Sequence, residues 1–259
     1  MSTLDGKSII VTGGASGIGA AAATLAASRG AQVTVADLDE ASGASVVDAI
    51  HAAGGAAQFV PTDIAQEADA AGMVDAALSA YGALHGAFNN AGVSAYSHQP
   101  GKSFTPFADM TVQILRAGLE VNVVGTFLCM KYEIAAMLRT GGGSIANTSS
   151  GAGILALAGA ADYVTAKHGV IGLTKAAALD YATQGIRVNA VIPGVTRTPM
   201  MERSFAENPE LEGWAAGIQP NKRIAAPEEI AEAALWLLSD AASFVTGASL
   251  AADGGYSMV

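Results

Sequence analysis

Tyr163 and Lys167, in the run Asp162-Tyr163-Val164-Thr165-Ala166-Lys167, are the residues best suited to chemistry in this 259-residue chain. Four apart on a helix, they share a face and their side chains can meet. A free phenol titrates near ~10, too high for a base at neutral pH, and a neighbouring ammonium favours the phenolate. Such a pair could move the proton that must accompany hydride transfer to or from a carbonyl carbon. The spacing alone is a common accident of helices. Ser150, at the end of the apolar run that begins at Ser144, and Asn122 give it company. Asn122 lies in Val121-Asn122-Val123-Val124-Gly125, where an amide among apolar neighbours is costly without a partner.

A second set of residues suits phosphate and ribose. The run Thr12-Gly13-Gly14-Ala15-Ser16-Gly17-Ile18-Gly19 leaves an apolar strand and opens a helix. Gly13 allows the tight turn, and Gly17 and Gly19 let backbone approach a pyrophosphate and let helix pack on strand. The helix start, with Ser16 and Ile18, offers free N–H groups and partial positive charge to an anion. Asp37 ends the next strand, where a carboxylate accepts both adenosine ribose hydroxyls and repels a 2′-phosphate. No Arg or Lys stands at positions 14 to 16 or 38 to neutralise that phosphate, so NAD is expected over NADP. Asp63, with Ile64 beside it, follows the third strand and could hold the adenine amino group. Asn89-Asn90-Ala91-Gly92 closes the fourth: Asn90 and Gly92 border the cofactor, and Asn89 reads as structural.

The elements that must position these residues follow a βαβ rhythm. Strands are predicted at Ser8–Thr12, Gln32–Ala36, Ala57–Pro61 and Leu84–Asn89, with helices at Gly17–Arg29, Glu40–Ala53 and Glu67–Tyr81. Two long helices, about Val112–Arg139 and Ala161–Gln184, then flank a strand at Ser144–Thr148. Strands at Arg187–Ile192 and Ala248–Ala252 and a helix at Pro227–Leu238 complete the pattern, with a mobile flap of short helices over Pro199–Gln219. The expected fold is α/β: one domain over residues 1–259, a Rossmann-type doubly wound parallel sheet of about seven strands with helices on both faces. Ligands then bind beyond the carboxyl ends of the strands, where every residue named above lies.

The rest of the chain narrows the class. Hydrophobic residues make up 51% and charged residues 14%, which excludes disorder and implies a large core. A net charge of −10 argues against a nucleic-acid partner. Cys129, the single cysteine, sits in an apolar run and reads as a buried thiol. The start, Met1 to Lys7, lacks a secretory pattern, and no run approaches the ~20 apolar residues of a membrane span, so a cytoplasmic protein with no membrane partner is expected. His51, His85, His98 and His168 have no metal-ligand spacing, and no metal is expected.

Together these blocks resemble the short-chain dehydrogenase/reductase family along essentially the full length, in family order and spacing: Thr12 to Gly19, Asn89 to Gly92, Asn122, Ser150, Tyr163 with Lys167, and Pro193-Gly194-Val195-Thr196-Arg197-Thr198. The resemblance implies Tyr163 as general acid/base, Lys167 lowering its pKa and holding the nicotinamide ribose, and Ser150 bonding the substrate oxygen. It implies Asn122 supporting a water that links Lys167 to solvent. Val195 and Thr198 would contact the nicotinamide amide. Ser149 reads as a local backbone-bonding serine, and Ala166 stands where many relatives have Ser. The resemblance also implies a homotetramer, with the two long helices and the final helix and strand at interfaces.

The substrate is expected to be a secondary alcohol or ketone. Val93–Phe107, Gly151–Ala161 and the flap should line its pocket. The middle segment has no charge, and Met200, Met201, Phe205 and Trp214 add apolar area, which suits a neutral cyclic alcohol. The runs Phe127 to Tyr132, Phe244 to Gly247 and Ala251 to Gly255 are similar to bacterial cyclic-diol dehydrogenases. Two alternatives are a 3-oxoacyl-carrier-protein reductase and a non-catalytic NAD-sensing relative. Against the first stand Asp37, the acidic charge and Gln184, where a carrier-docking Arg would precede Gly185. Against the second stands the complete set Asn122, Ser150, Tyr163 and Lys167.

Overall fold

Apolar, β-branched runs give strands that can be covered on both sides, and the chain uses them to build a parallel sheet. A computed structural model describes residues 4–93 and 105–258. The strands are β1 (Ser8–Thr12), β2 (Gln32–Asp37), β3 (Ala56–Pro61), β4 (Gly86–Asn89), β5 (Gly143–Thr148), β6 (Ile186–Pro193) and β7 (Ser249–Ala252). They form one seven-stranded sheet in the order β3-β2-β1-β4-β5-β6-β7, every pair parallel. This is the expected Rossmann-type architecture.

The helices are α1 (Gly17–Ser28), α2 (Glu40–Ala52), α3 (Glu67–Tyr81), α4 (Val112–Thr140), α5 (Ala161–Tyr181), α6 (Pro199–Glu207), α7 (Glu210–Ile218) and α8 (Pro227–Leu238). Successive strand side chains point to opposite faces, and each face has its own core. Ile9, Val11, Val33 and Val35 pack with α1, α2 and α8, through residues such as Ala22, Ile50 and Leu235. Ile10, Ala36, Ala87 and Ile145 pack with α3, α4 and α5, through Met73, Cys129, Met137 and Ala177. Cys129 is fully buried, as expected, and burial pushes its thiol well up.

The chain departs from its predicted elements in one place that matters. The helix expected over Val112–Arg139 is not uniform: Glu120–Gly125 widens into a π turn between α-helical arms, and Asn122 sits in it. Further, α4 is, among the described residues, the one helix long and apolar enough to cross a membrane. It is not a continuous apolar run, being interrupted by Arg116, Glu120, Lys131 and Glu133. Here the apolar surface serves the core, with Cys129, Met130, Ile134, Ala136 and Met137 buried. The flap segment forms α6 and α7, and Thr198 caps α6 by accepting from Met201 N at 3.4 Å.

The sheet order reverses between β1 and β4. Chain segments leaving those two strands part in opposite directions and open a crevice at their carboxyl ends.

Candidate active site

The crevice is a cleft of about 520 Å³. Its floor at one end is backbone. Gly13 has φ +63°, and a Cβ there would lie 2.8 Å from Ala91 Cα, so neither conformation nor space admits a larger residue. Thr12 Oγ1 accepts from Asn90 N and Ala91 N, each at 3.1 Å, and so ties β1 to β4 under the glycine turn. Asn90 Nδ2 reaches Gly13 O at 3.4 Å. Gly19 lies behind this turn, where a Cβ would strike Gly13 O. Ser16, Gly17 and Ile18 face the cleft at the start of α1.

Asp37 closes this end. Its carboxylate accepts from Ala15 N at 2.9 Å and Asp39 N at 3.1 Å, which orients it against the glycine loop while it borders the cleft. Asp63 and Ile64 border it as well, Asp63 accepting from Ala65 N at 3.0 Å. Val195 and Thr198 line the opposite wall. Cofactor contacts expected at Gly13, Ser16, Gly17, Ile18, Asp37, Asp63, Ile64, Asn90, Gly92, Val195 and Thr198 thus share one wall system, with Gly19 packed beneath it. A bound dinucleotide fits the cradle: a turn that a side chain would fill, free N–H groups at a helix start, and a carboxylate at the far rim.

The other end is made of side chains. Tyr163 and Lys167 stand on one face of α5, with Lys167 Nζ 5.6 Å from the centre of the phenol ring. Lys167 is buried, and Nζ donates to Thr148 O at 3.0 Å at the end of β5. Burial lowers its pKa to about 8. Burial pushes the Tyr163 phenol up, and the adjacent Ser150 hydroxyl pulls the other way. Of these two, desolvation of the phenol is the larger. Ser150 Oγ also accepts from Ala152 N at 3.2 Å, capping the turn that follows β5.

Asn122 lies behind the cleft. Its Nδ2 donates to Val93 O at 2.9 Å and Gly118 O at 3.0 Å, and its Oδ1 accepts from Val93 N at 3.3 Å. The Gly118 carbonyl is the one a regular α-turn would assign to the Asn122 backbone N–H. Gly92 leaves room for both this amide and the lysine: a Cβ there would lie 2.7 Å from Asn122 Oδ1 and 3.3 Å from Lys167 Nζ. All four expected catalytic side chains therefore converge on one end of the cleft.

Other sequence readings fare unevenly. Ser149 Oγ does bond backbone, but not locally: it donates to Lys167 O at 2.9 Å and clamps β5 to α5. His168 is exposed and bonded to Val164 O, away from the lysine face. Among the described residues, no three metal-binding side chains cluster; His98 lies outside them. The pocket segment 93–107 is described only at Val93 and from residue 105 onward. Ala152, Leu155, Ala156 and Leu157 line the cleft, as do Met200, Met201 and Trp214, but Phe205 turns into the core, 5% exposed. Its ring instead packs beneath the Arg197 guanidinium, 5.9 Å away. Sequence reasoning missed Tyr256, from the last turn, whose ring stands where a Gly151 Cβ would come within 2.8 Å. Nothing near the chain end signalled it.

Comparison with known proteins agrees with this geometry. The family described as Enoyl-(Acyl carrier protein) reductase matches residues 13–257. The chain is 49% identical, over all of both chains, to a 2,5-dichloro-2,5-cyclohexadiene-1,4-diol dehydrogenase of Sphingobium indicum. It is 42% identical to a cyclohexanol dehydrogenase of an Acinetobacter species, over 96% of this chain and 94% of the other. A short-chain type dehydrogenase/reductase from Mycobacterium ulcerans superposes with a TM-score of 0.91 at 32% identity, covering 100% of this chain and 92% of that one. With a glycine cradle at one end of its cleft and Asn122, Ser150, Tyr163 and Lys167 gathered at the other, the chain belongs to the short-chain dehydrogenase/reductase family and is an NAD(P)-dependent oxidoreductase acting on CH–OH groups.

Proposed function

We propose that this enzyme interconverts a neutral cyclic secondary alcohol or diol and its ketone, using NAD. The observation that carries the reading is the meeting of Tyr163, Ser150 and Lys167 under a wall of Ala152, Leu155, Leu157, Met200, Met201 and Trp214. Such a wall favours a carbocycle, and the few polar groups fix one oxygen. The relatives from Sphingobium and Acinetobacter are named for a cyclic diol and for cyclohexanol, which supports the same class.

Bound at Gly13 to Gly19, Asp37 and Val195 to Thr198, NAD supplies the hydride acceptor. In the oxidative direction the Tyr163 phenolate takes the hydroxyl proton as the carbinol carbon gives up its hydride. Ser150 holds the oxygen in place through both states. The Lys167 ammonium, charged below about pH 8, favours the phenolate and would hold the nicotinamide ribose. Asn122, beside Lys167 at Gly92, holds the water through which the proton returns to solvent. With its pKa raised by burial, the Tyr163 phenol holds its proton at neutral pH, so alcohol oxidation, which needs the phenolate, should quicken as pH rises.

Asp37 supports NAD over NADP, because a 2′-phosphate would meet its carboxylate, and among the described cleft residues the cations are Lys167 and Arg203 alone. A homotetramer is part of the reading. Apolar side chains left exposed on α4 (Val112, Val124, Phe127), on α5 (Leu179) and around α8 and β7 (Trp236, Phe244) support it. A cytoplasmic setting also fits, with α4 packed in the core rather than presented to lipid. The test is a coupled one: protein, NAD or NADP, and a panel of cyclohexanol, cyclic diols and linear alcohols, followed by absorbance of reduced nicotinamide. Turnover of the cyclic alcohols with NAD is expected; tight NAD binding without turnover of any alcohol would favour the sensing relative instead.

A further inference from the structure

Beneath the active site lies a titratable residue that the proton-transfer scheme leaves unused. Glu133, on α4, is 0% exposed. Its Oε2 accepts from Asn89 Nδ2 at 2.9 Å. The same Asn89 amide donates to Asn147 Oδ1 at 3.0 Å, and Asn147 Nδ2 donates to Thr174 Oγ1 at 2.9 Å. Thr174 in turn donates to Val170 O at 2.8 Å. Asn89 and Asn147 face each other in register on β4 and β5. One buried chain thus joins α4, two central strands and α5.

Its position matters because of what comes next along each strand. Asn90 follows Asn89 and borders the cleft, with its backbone N–H on Thr12. Thr148 follows Asn147 and gives its carbonyl to Lys167, two residues before Ser150. Thr174 lies two turns from Lys167 on the same face of α5. Asn89 and Asn147 thus sit one residue, and Thr174 two turns, from a residue of the cleft, and Glu133 holds them from α4.

Counting donors shows what state the chain needs. Asn89 spends both amide hydrogens, on Glu133 and Asn147, yet its own Oδ1 has no partner. Glu133 Oε1 has none either. Two acceptors on adjoining side chains lack a donor, and no basic side chain pairs with Glu133 among the described residues. The facing groups are neutral: the Cys129 thiol one turn earlier, Met130, Asn89 and Asn147. A carboxylate here would be an unpaired buried charge, whereas a carboxylic acid supplies the missing donor.

We propose that Glu133 is a positioning residue of the active site: held as a neutral carboxylic acid, it anchors the chain Glu133–Asn89–Asn147–Thr174, which fixes the ends of β4 and β5 and the face of α5 against one another. Burial agrees, raising the Glu133 pKa to about 8. Because the folded value exceeds the unfolded 4.5, the stability contributed by the proton is full below about 4.5. It is lost progressively as pH rises to about 8, and little changes above that. The anchor itself weakens where the folded residue ionises, near 8 and above.

The inference rests on the reading of the cleft as a hydride-transfer site, so one arm of its test is independent of turnover. Infrared spectra of the full chain at pH 6 should contain a protonated-carboxyl band that shifts on titration through about 8 and is missing in Glu133→Gln. No such difference would overturn the neutral acid, whatever the substrate. For the positioning role, Glu133→Leu and Glu133→Gln are compared with wild type for NADH binding and for NAD-dependent oxidation of cyclohexanol. Glu133→Leu should lower kcat/KM by about tenfold or more, whereas the amide of Glu133→Gln, a permanently neutral donor, should restore most of it. Above pH 8 the Gln variant should hold its kcat/KM better than wild type. Its melting temperature should also lack the relative fall that wild type shows between about 4.5 and 8. Wild-type kinetics in Glu133→Leu, or a Gln variant as impaired as the Leu variant, would sink the positioning role. If Glu133→Leu does not fold, the pH profiles of Glu133→Gln and wild type decide the question: identical alkaline limbs overturn it.

Discussion

The two ends of the cleft are built from different materials. At the dinucleotide end the work falls to backbone: a glycine turn, N–H groups at the start of α1, and Thr12 stitching β1 to β4. At the chemical end it falls to side chains carried by α4, β5 and α5, each held by contacts behind it. Backbone cradles are local in sequence and tolerate almost any neighbour, but not an added Cβ. Side-chain constellations tolerate surface change but fail when a support shifts, since catalysis depends on placement to within about an ångström. Binding and chemistry should therefore respond to different lesions.

The largest separation is expected for Tyr163→Phe. It removes the proton carrier while leaving the ring and the cradle, so kcat should fall by ~10²–10⁴ with NADH affinity nearly unchanged. Substantial residual turnover in steady-state assays would break the division at its strongest point. Gly92→Ala probes the seam, because its Cβ would press on both Asn122 Oδ1 and Lys167 Nζ. Here kcat should drop by about 10- to 100-fold and NAD binding should weaken too, as measured by fluorescence titration. A pure binding defect would mean that Asn122 and Lys167 need not stay together. Asp37→Ala should have the smallest effect: the ratio of kcat/KM for NAD over NADP should narrow by about tenfold, roughly 1.4 kcal/mol, with little change in kcat. An unchanged ratio would remove the carboxylate as the source of the preference.

The same contrast explains what could be read from the chain. The glycine turn, Asp37, and the strands were legible because each is a short local pattern of residue type and spacing. The pair Tyr163 and Lys167 was legible only once Ser150 and Asn122 stood with it. Supports that come from afar were not. Tyr256 reaches the cleft from the chain end with no pattern to announce it. Phe205 looked like pocket lining because it shares α6 with Met200 and Met201, yet those two face the cleft while Phe205 is buried. Ser149 looked local because its partner, Lys167 O, is distant in sequence. Glu133 follows Lys131 and Tyr132, both on Glu67 at the surface, and so reads as more of a solvated face. The signal was there in Cys129, Glu133 and Met137, spaced at i, i+4 and i+8 on one buried stripe. A polar member of such a stripe needs partners, and the matching asparagines lie on two different strands.

The π turn at Glu120–Gly125 has a consequence for how this helix can change over time. A π turn holds one residue more than an α turn, so it absorbs that residue without turning the helix phase. Deleting a single residue between 120 and 125 would let the helix close into a regular spiral. Because the π segment accommodates about one residue more than an α-helix of the same rotation, Cys129, Glu133 and Met137 would keep their places on the core stripe, and only the widening at Asn122 would be lost. The extra residue therefore serves Asn122, whose side chain takes the Gly118 carbonyl, and not the register of the core. A chain that lost this residue should keep its core and lose the placement of Asn122.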